Sequence, residues 1–599
     1  MPDRPKSSYA LVWGQVLAMI YALARSNQRG RLLLLCVGLV VVIAANTFGQ
    51  IRLNAWNQGF YDAVAQKQVA AFLWQLQVFG LIASSLLVLG VTQTWLHETL
   101  KVVLREALTY DLIREWLEPK RVYRLSLAGE IGVNADQRIH EDIRHLTELC
   151  ADLGVGLLQS SLLLITFVGV LWGLSREMAQ TSTSIVTAVP GYMVWCALAY
   201  AAVSSWMSWR VGRPLIDLNV ERSSQEAGLR FALVRVSESA EAITLFQGEA
   251  DERRRLESEV GRVIGVARRL ANGLARLTWI TAGSGWLAIV APFIVAAPGY
   301  FTGSLSFGGL MMTVAAFMQV HQSLRWFVDN FSRLADWRAA LLRVMLLRET
   351  LTGLDTLVED AERIAFREGE EAKLVFDKLG VVLFRGKAML TEPHVEIGPG
   401  EHVVITGDPG AGKSALFKAL AGLWPWGTGS VLWPPGQAIM FMPRRPYLPP
   451  GSLRAILAYP ASPDGFAGDA FLAALDRVGL GHLKPDLDRE DRWDRMLPLE
   501  EQQRLAFARL MLHRPRWIIF DEAISALDED SRRLILSIFE NELAGATVIS
   551  TSRRPSGDMF YDRVLHLVRD REGTLTRRGS SRSPEAWSLP SGSPVQSGT

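Results

Sequence analysis

The chain has 599 residues, of which 49% are hydrophobic, and its mean hydropathy is positive (+0.16), which is too long for one domain and too apolar for an ordinary soluble enzyme. Its 63 basic and 61 acidic residues leave a formal charge of +2, with no strongly basic tract, which argues against a nucleic-acid partner. Cys36, Cys150 and Cys196 are far apart in or beside apolar runs, form no CxxC pair, and read as buried small hydrophobes.

Residues 1–31 carry Arg4, Lys6, Arg25, Arg29 and Arg31 ahead of the apolar run 32–49. That run is longer than a signal-peptide core and is followed by no convincing cleavage site, so it predicts a first spanning helix with a cytoplasmic N-terminus. Further runs at about 71–95, 154–174, 187–208, 278–298 and 306–327 are each long enough to cross a bilayer, giving six spans in a transmembrane domain over 32–350. The connections at 97–150 and 209–275 are long and rich in Arg and Glu, whereas the others are short with few basic residues; this places the long ones, and both chain ends, in the cytoplasm. Their helical periodicity predicts that spans two to five run on well beyond the lipid. His97, Glu98 and Lys101 fall at headgroup level at the inner end of span two, Glu98 being a minor candidate for a proton relay.

An acidic stretch at 351–373 reads as a linker, and a nucleotide-binding domain is expected over 374–568. Its centre is Gly407-Asp408-Pro409-Gly410-Ala411-Gly412-Lys413-Ser414, a G-x-x-x-x-G-K-[ST] loop between the apolar run Val403-Val404-Ile405 and a helical run from Ala415. Backbone N–H groups there can point at phosphate oxygens, Lys413 can reach the β- and γ-phosphates of ATP, and Ser414 can hold Mg²⁺. Downstream, Trp517-Ile-Ile-Phe520-Asp521-Glu522 is an apolar strand ending in two carboxylates: Asp521 suits Mg²⁺ and Glu522 suits polarisation of an attacking water. The Ser-, Pro- and Gly-rich end, 569–599, cannot bury a core and is expected to be disordered.

Three stretches of the membrane half, Leu53-Asn-Ala-Trp56-Asn-Gln-Gly-Phe60-Tyr61-Asp62-Ala63, Asn134-Ala-Asp136-Gln137-Arg138-Ile139-His-Glu141-Asp142-Ile143 and Phe231-Ala-Leu-Val-Arg235-Val-Ser-Glu238-Ser-Ala-Glu241-Ala242-Ile243, stand in the order expected of one ABC transporter subfamily. With the phosphate loop they make nearly the whole chain resemble that subfamily, which holds the bacterial SbmA/BacA-like peptide importers, their nucleotide-domain-fused relatives and the peroxisomal fatty-acyl transporters; the bacterial branch is the more similar. The resemblance implies an all-α six-helix transmembrane domain of the ABC exporter type followed by an α/β P-loop domain, in a half-transporter that forms a homodimer in the bacterial inner membrane. Trp56, Phe60 and Tyr61 would then lie at the outer end of the solute cavity, with interfacial anchoring in the membrane lipid as the alternative.

The resemblance also assigns adenine stacking to Phe384, although Phe384 can equally be a strand core residue, and it exposes three departures. Arg444 stands where the family's Q-loop Gln contacts Mg²⁺. Pro498 and Glu500 replace the Ser and Gly of the signature segment, and Arg553 replaces the switch His. A carboxylate at Glu500 puts negative charge at a helix start that normally faces the partner's γ-phosphate. Glu500 could instead pair across the dimer with Arg444 or Arg553. The expectation is an ATP-binding transporter of peptide-like or other hydrophilic solutes with slow turnover; the alternative is a proton-gradient-driven transporter whose nucleotide domain is vestigial or regulatory.

Overall fold

The computed structural model describes residues 8–127, 135–181, 190–301, 303–353, 363–383, 386–524, 527–552, 560–570, 576–577 and 587–588. The chain divides into two compact units, residues 1–114 with 134–348, and residues 115–133 with 349–599.

The first unit is helical: α1 (Ser8–Arg25), α2 (Arg29–Ala65), α3 (Val69–Trp116), then, after α4 (Arg121–Ser126) of the second unit, α5 (Ala135–Gln137), α6 (Ile143–Thr181), α7 (Tyr192–Glu238), α8 (Ala240–Leu245), α9 (Glu249–Phe301), α10 (Phe307–Asp329) and α11 (Phe331–Gly353). The six expected spans fall on α2, α3, α6, α7, α9 and α10. Among the described residues α2, α3, α6 and α9 have windows apolar enough to cross a membrane. Leu33, Leu34, Leu81, Leu87 and Val88 are each more than 60% exposed, an apolar surface that water would not tolerate and lipid does. At about 1.5 Å per residue the 48 residues of α3 and the 53 of α9 are roughly two and a half times the length a bilayer core needs.

The helix α7, on which span four falls, begins at Tyr192, just after Gly191, which sits at φ +73° with Trp172 against it. Cys36 is exposed on α2, and Cys150 and Cys196 are only half-buried, so the expectation of three buried thiols fails. A stripe at three- and four-residue spacing, Leu32, Leu35 and Leu39, packs instead with Leu96, Leu100 and Val103 of α3.

The motif after span one builds a joint. Trp56 stacks on Phe60 (centroids 4.6 Å apart) and meets Phe79 (4.9 Å), its Nε1 donates to the Gln75 carbonyl (2.8 Å), and Tyr61 makes an edge contact with Phe307 (6.0 Å). Asp62 accepts from the Gly308 amide (2.7 Å) and the Ser306 hydroxyl (2.8 Å), a carboxylate placed at the positive start of α10. These aromatics therefore fasten α2, α3 and α10 together. Farther along the helices, α11 is tied to its neighbours by bidentate Arg343–Asp142 (2.8 and 2.9 Å), Arg348–Asp111 (3.1 Å) and Arg333–Asp152. Asp152 also meets Lys101 (2.9 Å) and His97 (3.2 Å), so these two residues serve a carboxylate of α6.

The second unit wraps helices around a ten-stranded mixed sheet. Its strands are β1 (Ala365–Glu368), β2 (Leu374–Val382), β3 (Lys387–Leu390), β4 (His394–Ile397), β5 (His402–Thr406), β6 (Gly427–Trp433), β7 (Ile439–Met442), then after a short pair β8 (Gly451–Ser452) and β9 (Glu490–Asp491), β10 (Trp517–Asp521), β11 (Thr547–Ser552) and β12 (Arg563–Asp570). The order is β1-β6-β2-β3-β12-β5-β11-β10-β7, with β4 on β2. The strands β12, β5, β11, β10 and β7 run parallel, with Val403 beside Ile549 and Asp521 beside Thr551. Of these, β5, β10 and β11 are almost wholly buried, as strands covered on both faces are, whereas β12 alternates buried and exposed residues. The remaining helices are α12 (Lys413–Leu420), α13 (Leu453–Ala458), α14 (Gly468–Arg477), α15 (Trp493–Met496), α16 (Leu499–His513) and α17 (Glu529–Glu540). Two cores result, one around Val403, Ile405, Leu416 and Trp517, the other around Leu453, Phe471, Phe507 and Phe520. Thr576–Arg577 pairs antiparallel with Trp587–Ser588 within the stretch expected to be disordered.

Candidate functional site

The parallel strands end on one edge, and in open α/β sheets ligands bind beyond the carboxyl ends of such strands. The phosphate loop leaves β5 there and enters α12. Gly410 and Gly412 hold φ +84° and +105°, and a Cβ on Gly412 would lie 2.7 Å from that of Ala388, so the loop's path requires glycine. Lys413 is 7% exposed, and its ammonium donates to the carbonyls of Gly407 (2.6 Å) and Asp408 (3.3 Å), so the charge is held inside the loop.

Beside the loop, β10 delivers two carboxylates. Asp521 Oδ1 accepts from the Ser414 hydroxyl (3.3 Å) and the Thr551 hydroxyl (3.0 Å). Glu522 sits at φ +53°, a left-handed conformation uncommon for a residue with a Cβ, and its amide donates to Thr551 Oγ1 (3.2 Å). Thr551 thus braces both carboxylates from β11. Sequence reasoning passed over it, although a Ser550-Thr551 pair at the end of an apolar strand is the signal that marks it. The hydroxyl of Ser414 and the carboxylate of Asp521 are hard oxygen donors within reach of one point, a set that fits Mg²⁺.

Two of the altered positions, Arg444 and Glu500, have charged neighbours within the same chain. Arg444 Nη1 lies 3.7 Å from Glu522 Oε2. Glu500, in the first turn of α16, accepts from the Ser531 hydroxyl (3.0 Å) and lies 3.5 Å from Arg504 Nη2. Pro498 occupies the position before α16 and supplies no side-chain cap, while Glu500 and Glu501 set negative charge against the helix's positive end. The Ser531 amide donates to Asp528 Oδ1 (2.9 Å), and hydrogen bonding by Ser531 holds that carboxyl below the usual carboxylate range. Phe384 and Arg553 lie outside the described residues.

The back of the site is rigid. Gln503, 3% exposed on α16, donates to the Arg444 carbonyl (3.0 Å). Arg509 on the same helix donates to the carbonyls of Tyr447 (3.0 Å) and Ile456 (2.9 Å), and its burial lowers the guanidinium's pKa. At the far end of α12, the short helix α4 rests on the sheet unit: Leu127 joins the core and Lys418 sits over the Tyr123 ring, 5.7 Å from its centroid. In the helical unit, a separate cavity of about 600 Å³ is lined by Trp206, Trp209, Arg213, Asn219, Thr281 and Asp329.

Comparison with known proteins gives concordant results. Residues 18–301 match the family described as ABC transporter transmembrane region 2, and residues 390–525 match the ABC transporter family. The chain is 30% identical over 535 residues to the inner membrane ABC transporter ATP-binding protein YddA of Escherichia coli, covering 89% of this chain and 93% of that one. It is 25% identical to ABC transporter D family member 2, chloroplastic, of Arabidopsis thaliana, over 94% and 87% of the two chains. Among solved structures, a bacterial Atm1-family ABC exporter with ATP bound shares the fold at TM-score 0.68 and 20% identity, covering 90% of this chain and 94% of that chain.

Proposed function

The chain belongs to the ABC transporters that join a membrane half to an ATP-binding half, and on that premise we propose that it works as a homodimer in the bacterial inner membrane, with both ends cytoplasmic, binding ATP and moving peptide-like or other hydrophilic solutes. The observation that carries the nucleotide part is the assembled loop: Lys413 is buried among its carbonyls and Ser414 is bonded to Asp521. Lys413 moves from those carbonyls to phosphate oxygens when ATP enters, exchanging neutral acceptors for charged ones. Ser414 and Asp521 are the residues that would hold Mg²⁺, whose charge, when bound, offsets that of the β- and γ-phosphates. Glu522, fixed by Thr551 at its amide, orients the attacking water.

Hydrolysis is slow in this reading. Glu500 faces the partner's nucleotide with a carboxylate, and Arg444 engages Glu522. The solute part draws on the cavity among α7, α9, α10 and α11, whose mixture of indole rings, a guanidinium and a carboxylate suits a solute with alternating polar and apolar groups. The test is ATP hydrolysis by the purified protein in lipid, compared with Glu522→Gln. A lower rate in the variant supports an ATP-driven transporter, and equal rates remove it.

A second reading is favoured by the Arg444–Glu522 contact itself: a nucleotide unit that regulates a transporter driven by the proton gradient. Solute uptake that persists in Glu522→Gln and collapses with a protonophore selects that reading.

A further inference from the structure

Arg444 places a permanent cation beside Glu522, one of the two carboxylates at the end of β10. Its Nη1 is 3.7 Å from Glu522 Oε2, and Glu522 follows directly on Asp521, whose Oδ1 receives Ser414. The placement is built in. The segment carrying Arg444 is pinned to α16 at two points, Gln503 to the Arg444 carbonyl and Arg509 to the Tyr447 carbonyl, and both pinning side chains are at most 8% exposed. The Arg444 side chain is nevertheless 58% exposed, whereas that of Glu522 is 14% exposed, so the guanidinium reaches from the open side onto an inward carboxylate.

Two physical consequences follow. With Glu522 neutralised by a fixed charge, the attraction left for a divalent cation comes chiefly from Asp521, and a guanidinium a few ångströms away repels that cation. A guanidinium cannot ligate a metal, but it carries five N–H donors in a planar fork, and phosphate oxygens are its preferred acceptors. One edge on Glu522 leaves the other for a nucleotide's terminal phosphates. Lys413 supplies the second cation. We infer that Arg444 takes over part of the charge-neutralising role of Mg²⁺, so that this phosphate loop retains ATP with little dependence on a divalent cation. The inference rests on the nucleotide-binding reading above and adds to it the ionic form in which nucleotide is held.

The experiment measures ATP affinity of the full-length protein in lipid nanodiscs, in MgCl₂ and in EDTA, for the wild type, Arg444→Gln and Arg444→Lys. The wild type is expected to change by less than about threefold between the two buffers, Arg444→Gln to lose more than about tenfold in EDTA alone, and Arg444→Lys to stay near the wild type. A wild-type dependence on Mg²⁺ as steep as that of Arg444→Gln overturns the inference, and if that variant does not fold, a wild-type loss above about tenfold in EDTA overturns it alone. Absence of ATP binding by the wild type in both buffers is a different result: it overturns the nucleotide-binding reading itself.

Discussion

Replacing Lys413 by Ala separates a nucleotide ligand from a structural strut. Without nucleotide the ammonium already makes two hydrogen bonds, to Gly407 (2.6 Å) and Asp408 (3.3 Å), from a position 7% exposed. Those bonds stabilise the loop, and losing them costs about 1.5–3 kcal/mol, the range for a hydrogen bond made by a charged group. When ATP binds, the same group trades peptide carbonyls for phosphate oxygens, and removing a charge-assisted contact of roughly 1.5–3 kcal/mol weakens binding about 10- to 150-fold. The expected outcome is therefore a modest fall in melting temperature together with a large loss in ATP affinity, measured by calorimetry on the same preparation. A fall in melting temperature with unchanged affinity would mean that the ammonium only props the loop, and the assignment of Lys413 as a phosphate ligand would be wrong.

Changing Pro498→Ser, Glu500→Gly and Arg553→His together is expected to raise ATP hydrolysis well above the wild-type rate, because the carboxylate that Ser531 and Arg504 hold over the start of α16 is gone; a folded triple variant with no gain would assign the limit elsewhere. Asp62→Ala removes the acceptor for the Gly308 amide and the Ser306 hydroxyl, and should destabilise the helical unit by roughly 1–3 kcal/mol, read as a lower melting temperature in detergent, whereas Asp62→Asn keeps one acceptor and should lose less. Equal melting of the alanine variant and the wild type would show that α10 does not depend on that cap.

What was readable in the sequence was local. The phosphate loop and the Asp521-Glu522 strand end are contiguous motifs whose chemistry depends on neighbours in the chain, and the membrane runs announce themselves by composition over about twenty residues. What was not readable joins distant segments. Thr551 reaches Asp521 across 30 positions and Ser531 reaches Glu500 across 31, and neither spacing belongs to a short motif. The charge changes at Arg444 and Glu500 were visible, but their partners were not. A pairing across the dimer is left open by these contacts; the neighbours within the chain, Glu522 for Arg444 and Arg504 for Glu500, were not legible in the sequence. Trp56, Phe60 and Tyr61 suggested the outer end of a cavity or an interfacial anchor, and their packing on one another and on Phe79 and Phe307 was not legible in the sequence. Nor was the backbone at the start of α7, which hydropathy ignores and where Gly191 stands in the left-handed region.

The central claim is that this nucleotide site retains ATP but turns it over slowly. It is tested most directly by incubating the lipid-reconstituted protein with radiolabelled ATP, removing free nucleotide, and identifying what remains bound. The account predicts nucleotide bound by the wild type, absent from Lys413→Ala, and recovered mainly as ATP. Recovery of none from the wild type, or of ADP alone with rapid release of phosphate, would contradict it.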